Sequence, residues 1–98
     1  MNAVVVKVGG SLVAYPEKLK ALCATLGGIS TDHRFIVVPG GSEFADVTRS
    51  LDEKFSLSSK VSHRMAILGM DQYGLLLSDL TPQSVTVSKL SEIKKILK

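Results

Sequence analysis

Val5-Val6-Lys7-Val8-Gly9-Gly10-Ser11 and Ile36-Val37-Val38-Pro39-Gly40-Gly41-Ser42 carry one pattern twice: a β-branched apolar run that ends in Gly-Gly-Ser. Such runs are too short for a stable helix and too continuous for a strand with one wet face. Ala3 to Val8 and Arg34 to Val38 are therefore expected as strands buried on both faces, as in parallel sheets. Between them Pro16 suits the first turn of a helix. Leu19, Leu22, Cys23 and Leu26 then recur at helical spacing, and Gly27-Gly28 supplies a stop. The two copies thus bracket one βαβ unit, whose strands run parallel and whose Gly-Gly-Ser turns leave the sheet at the same end.

Working outward, Phe44, Val47, Leu51 and Phe55 mark one side of a second helix, with Ser42 placed to cap its N-terminus. A long helix follows from about Ser58 to Leu80, apolar on more than one face and so expected between other elements. Thr81-Pro82 breaks it, Val85-Thr86-Val87 alternates like a short strand, and Leu90 to Lys98 has the pattern of a last amphipathic helix. The expected order is β-α-β-α-α-β-α. This places the chain in the α/β class, a three-layer α/β/α arrangement around a mostly parallel sheet, with residues 1–98 forming one partial domain.

Composition limits the function classes. The 98 residues are 45% hydrophobic and 21% charged, the balance of a folding domain rather than a disordered one. Lys and Arg exceed Asp and Glu by 12 to 9, and Lys94, Lys95 and Lys98 cluster at the end. That cluster reads as the solvated last turn of a helix complementing its dipole, and without interleaved aromatics it does not indicate a nucleic-acid partner. Cys23, between Leu22 and Ala24, reads as a packed core thiol. The apolar stretch from Ala3 is interrupted at Lys7, too short for a membrane span or a signal core, so no membrane partner and a cytoplasmic location are expected. His33 and His63 lack the Cys or carboxylate spacing of a zinc site, and no metal ligand set is expected.

The chemistry is expected at the two turns. Ligands of open α/β sheets sit beyond the carboxyl ends of the strands, where main-chain N–H groups and helix N-termini face an anion. Glycines there permit left-handed turns and close approach of the backbone to a phosphoryl oxygen, although a βα loop also uses glycine simply to turn. Lys7, at the end of an apolar strand, is either a surface lysine or a cation held over a transferring phosphoryl group. No Gly-Lys-Ser/Thr closes the first turn and neither turn has the Gly-x-Gly-x-x-Gly spacing, so P-loop and dinucleotide readings fail. Arg64, Asp71 and Ser78 share a stripe of the long helix, where Asp71 serves either a substrate or Arg64.

Lys7-Val8-Gly9-Gly10-Ser11 after a valine strand, followed by a strand ending Val38-Pro39-Gly40-Gly41, resembles the amino acid kinase superfamily along the whole chain. Within it, residues 39–46 and 65–77 most resemble the branch of methanofuran biosynthesis that phosphorylates an aminomethylfuran phosphate. The resemblance implies an ATP-dependent small-molecule kinase with a phosphorylated acceptor, using ATP and Mg2+, for neither of which a site is visible in these residues. It implies that Lys7 is catalytic. With Lys7, Gly9 and Gly10 would contact the transferring phosphoryl group, Gly40 and Gly41 would bind the acceptor phosphate and help stabilise transition-state charge, and Ser11, Ser42 and Asp71 complete the phosphate- and substrate-binding set. Ser42 departs from the pattern, since family members generally have a third glycine there. The chain corresponds to the acceptor-side half, so a truncated or split kinase is expected, with the ATP-binding half absent or supplied by a complementary chain or homo-oligomer. The other reading is a non-catalytic module that binds a phosphometabolite or pairs with a partner.

Overall fold

β1 (Ala3–Val8) and β2 (Arg34–Pro39) pair in parallel in the computed structural model, which describes residues 3–87 together with 91 and 92. The register sets Ala3 against Arg34 and Val8 against Pro39, so both strands end on the same edge. A short 3₁₀ helix (Gly10–Ala14) links β1 to α1 (Pro16–Ile29). α2 (Ser42–Phe55) follows β2, and α3 (Ser59–Leu80) returns along it. The α/β class and the parallel pairing are as the sequence predicts.

The core is small. Val8, Leu19, Cys23, Tyr73 and Leu77 form its buried cluster, drawn from β1, α1 and α3, with Val6, Leu12, Leu22, Val37 and Phe44 packed around it. Alternation along a strand sends Val6 and Val8 to this side and Val5 and Lys7 to the other. Val5 is 63% exposed. Burial of β1 on both faces is therefore corrected: among the described residues the helices cover one face, and continuity of apolar sequence does not by itself report a second layer.

α1 begins at Pro16, where the missing N–H costs nothing and the ring's fixed φ suits a first turn. It does not stop at Gly27-Gly28, which lie inside its last turns. Gly27 is small for a packing reason: a Cβ there would stand 2.5 Å from Cδ of Pro82. α3 starts at Ser58, whose Oγ accepts from the Val61 N–H. At its far end Thr81 donates to the Leu77 carbonyl, while the single Ser84 hydroxyl proton is shared between the carbonyls of Ser78 and Thr81. These side-chain bonds satisfy last-turn carbonyls and fold residues 81–84 back over the helix end.

α2 packs on α3 rather than on the sheet. Its buried residue is Thr48, while Val47 and Phe55 stand 59% and 69% exposed, so only part of the expected apolar stripe is used. Residues 84–87 carry no regular structure, and the strand expected at Val85–Val87 is not formed. The last helix expected over Leu90–Lys98, with its lysines, lies outside the described residues apart from 91 and 92. No described helix is long and apolar enough to cross a membrane.

Candidate active site

The parallel register delivers the two Gly-Gly-Ser turns side by side. Lys7 pairs with Val38 and Val8 with Pro39, and the Gly40 N–H donates to the Val8 carbonyl at 2.9 Å. The turns then press together. A Cβ on Gly10 would lie 2.3 Å from both N and Cα of Ser42, and one on Gly40 would lie 3.2 Å from the Gly10 nitrogen. Contact between backbones therefore demands glycine at Gly10 before any ligand arrives. At Gly9 a Cβ would meet nothing within 4 Å, in an extended conformation open to any residue.

No glycine supplies the expected left-handed turn. That conformation falls on Ser42, with φ of 57°. An L-residue in the left-handed region meets a steric penalty that glycine avoids. Ser42 is also not the side-chain cap expected of it. Gly41 precedes the helix, no side-chain bond caps it, and the buried Ser42 Oγ has no hydrogen-bond partner among the described residues. Because the Gly40 N–H is taken by β1, main-chain donors for an anion on this turn come from the start of α2, whose first N–H groups have no intrahelical acceptor and whose dipole end favours negative charge.

Lys7 is exposed on the open face of β1, one residue before the first turn, and pairs with no acid among the described residues. Ser11 is exposed in the 3₁₀ helix. Asp71 lies elsewhere. It lines a groove of about 720 Å³ that runs along β2, between Phe35, Val37 and Pro39 on one side and Met70, Gly74 and Ser78 on the other. Asp71 and Ser78 share this groove as their spacing predicts, and Arg64 does not. No ion pair joins Asp71 to Arg64. The groove reaches the second turn at Pro39, next to Gly40. The structure thus joins Gly9, Gly10, Ser11, Gly40, Gly41 and Ser42 at one strand end, with Lys7 beside them and Asp71 on the flank.

Tyr73 is the residue that sequence reasoning left without a role. Fully buried, it donates its hydroxyl to the Gly9 carbonyl at 2.9 Å. The signal was present: a tyrosine inside an apolar helix face, one turn from Leu77, needs a partner for its hydroxyl. Burial, and secondarily the neighbouring Cys23, push its pKa above the ordinary phenol value, which keeps it a neutral donor. Asp46 pairs with Arg49 one helical turn away, both exposed, which gives it a surface role. Among the described residues no three His, Cys, Asp or Glu side chains gather as metal ligands.

The chain matches the amino acid kinase family over residues 2–97. It is also 33% identical over 78 residues to the [5-(aminomethyl)furan-3-yl]methyl phosphate kinase of Methanocaldococcus jannaschii, an alignment that takes in 78% of this chain and 35% of that protein. The chain therefore spans about a third of the length of the curated relative it matches. With two Gly-Gly turns joined at the end of a parallel strand pair and a family match from end to end, the chain belongs to the amino acid kinase family.

Proposed function

We propose that residues 1–98 form the acceptor-side portion of a small-molecule kinase that transfers a phosphoryl group to an acceptor already carrying phosphate. The observation that carries this reading is the junction of the two turns: Gly9-Gly10-Ser11 and Gly40-Gly41-Ser42 meet at the carboxyl ends of paired strands, beside the exposed cation of Lys7, which no acid pairs among the described residues. Phosphoryl transfer asks a protein for positioning and charge compensation more than for covalent chemistry. Main-chain donors of the two turns orient the phosphates, and Lys7 offsets the charge that gathers as the phosphoryl group moves. Magnesium-bound ATP, used across the family, would supply that group. The described residues hold no carboxylate cluster for the ion, and their contribution lies on the acceptor side.

The acceptor we infer is [5-(aminomethyl)furan-3-yl]methyl phosphate or a close analogue, after the name of the relative. Its aminomethyl group is cationic near neutral pH, and its furan ring is flat and apolar. The groove beside Pro39 has matching walls, with Phe35, Val37 and Met70 for a ring and the acid Asp71 for a cation.

The test is an assay of the full-length protein with ATP, Mg2+ and the furan phosphate, following ADP release and the new diphosphate by 31P NMR. Turnover is expected, and Lys7→Ala should lower kcat by about 10²–10³-fold, the scale of losing one electrostatic stabiliser of a transition state. Acceptor binding without turnover would replace the kinase reading with that of a phosphometabolite-binding module. Absence of acceptor binding would remove both.

A further inference from the structure

The Gly9–Gly10 peptide joins the end of β1 to the 3₁₀ helix. Neither flanking residue carries a Cβ, so the backbone alone offers little resistance to a flip of the peptide plane. One orientation presents a donor to the space between the turns and the other presents a carbonyl oxygen, which repels an anion. Something outside the turn must choose between them.

Tyr73 is placed to do so. Its ring is 0% exposed within the cluster of Val8, Leu19, Cys23 and Leu77, and α3 holds it on the core side of β1. Its hydroxyl donates to the Gly9 carbonyl at 2.9 Å. The Gly9–Gly10 peptide is trans, so the N–H of Gly10 points opposite to the Gly9 carbonyl and away from the core. The Gly10 nitrogen lies 3.2 Å from the position of a Cβ on Gly40, which sets it against the second turn. No acceptor takes this N–H among the described residues.

We infer that Tyr73 is a positioning residue for the phosphate cradle: its hydroxyl holds the Gly9–Gly10 peptide so that the Gly10 N–H is presented to a phosphoryl oxygen at the strand end, beside the contact of the two turns. This rests on the proposed function of those turns. A phenol is protonated throughout the neutral range, and burial raises its pKa further, so the clamp persists there.

The experiment uses the full-length protein, labelled with 15N and 13C and titrated with inorganic phosphate and then pyrophosphate. In the native protein the Gly10 amide should shift downfield on binding while the Gly9 carbonyl carbon stays in place, because its bond to Tyr73 persists. Tyr73→Phe keeps the ring and removes the hydroxyl. It should weaken phosphate binding about tenfold, the loss of one charge-assisted bond, and abolish the Gly10 response. Leu77→Ala disturbs the same core but keeps the hydroxyl, and should retain the Gly10 response. If native protein binds neither anion, the phosphate reading of the turns fails, and this inference with it. If native protein binds and Tyr73→Phe binds equally well with the same Gly10 shift, the positioning role alone is overturned. Equal loss of response in Leu77→Ala would reduce Tyr73 to a packing residue. Should Tyr73→Phe not fold, the native titration decides: a Gly9 carbonyl that moves with phosphate shows a peptide not held by Tyr73.

Discussion

Ser42 has two separable defects. Its backbone is left-handed, and its buried hydroxyl has no partner among the described residues. Ser42→Gly removes both and should raise stability by about 1 kcal/mol, the strain relief being partly offset by the greater freedom of glycine in the unfolded chain. Ser42→Ala removes only the hydroxyl and should give a smaller gain. Denaturant midpoints of the two variants separate the terms, and a fall for Ser42→Gly would mean that the left-handed position is not strained.

Tyr73 gives a pH dependence whose sign follows from its environment. In the unfolded chain the phenol ionises near 10.0, whereas in the fold burial and Cys23 raise that value. Stability is therefore full below the unfolded value and declines as pH rises through it towards the folded one, since the unfolded state releases the proton first. Thermal melts between pH 8 and roughly 11 should show this decline. Tyr73→Phe should flatten its share of the slope, and an unchanged slope would exclude Tyr73 as its source.

At the scale of elements, α1 separates two glycines that look equivalent in sequence. Gly28 faces open space, whereas Gly27 meets the Pro82 ring. Alanine favours a helix interior over glycine by about 1 kcal/mol. Gly28→Ala should therefore stabilise by up to that amount. Gly27→Ala should destabilise by about 1–3 kcal/mol, because a rigid ring cannot yield to the new methyl group. Combining Gly27→Ala with Pro82→Ala should recover much of the loss, and additivity in that cycle would show that the two sites are not coupled. The same contact explains why the glycine pair failed as a helix stop: the sequence announces a small residue without saying whether it turns or packs.

At the scale of the molecule, a radius of gyration of 15.0 Å exceeds the roughly 13 Å of a compact 100-residue domain. The extents of 47 × 33 × 17 Å describe a slab little thicker than a sheet with helices on one face. Stability then rests on few residues. Leu77→Ala should cost about 2–5 kcal/mol, a large part of the stability of a small domain, whereas exposed Phe55→Ser should change it by less than about 0.5 kcal/mol. Circular dichroism under denaturant distinguishes them, and comparable losses would mean that Phe55 is packed in solution.

The sequence by itself determined the two strands, the three helices that follow Pro16, the second Gly-Gly pair and Ser58, the parallel pairing and the family, because these depend on local periodicity, proline and glycine chemistry, and the repeated strand-to-Gly-Gly pattern. It also singled out Lys7 and both turns. Only the tertiary structure decided that Gly10 is required by the neighbouring Ser42 backbone, that Asp71 flanks the turns instead of joining them, and that Tyr73 grips Gly9. Each of these is a contact between segments distant in the chain, and no local pattern encodes the distance across which a side chain or a missing Cβ meets its partner.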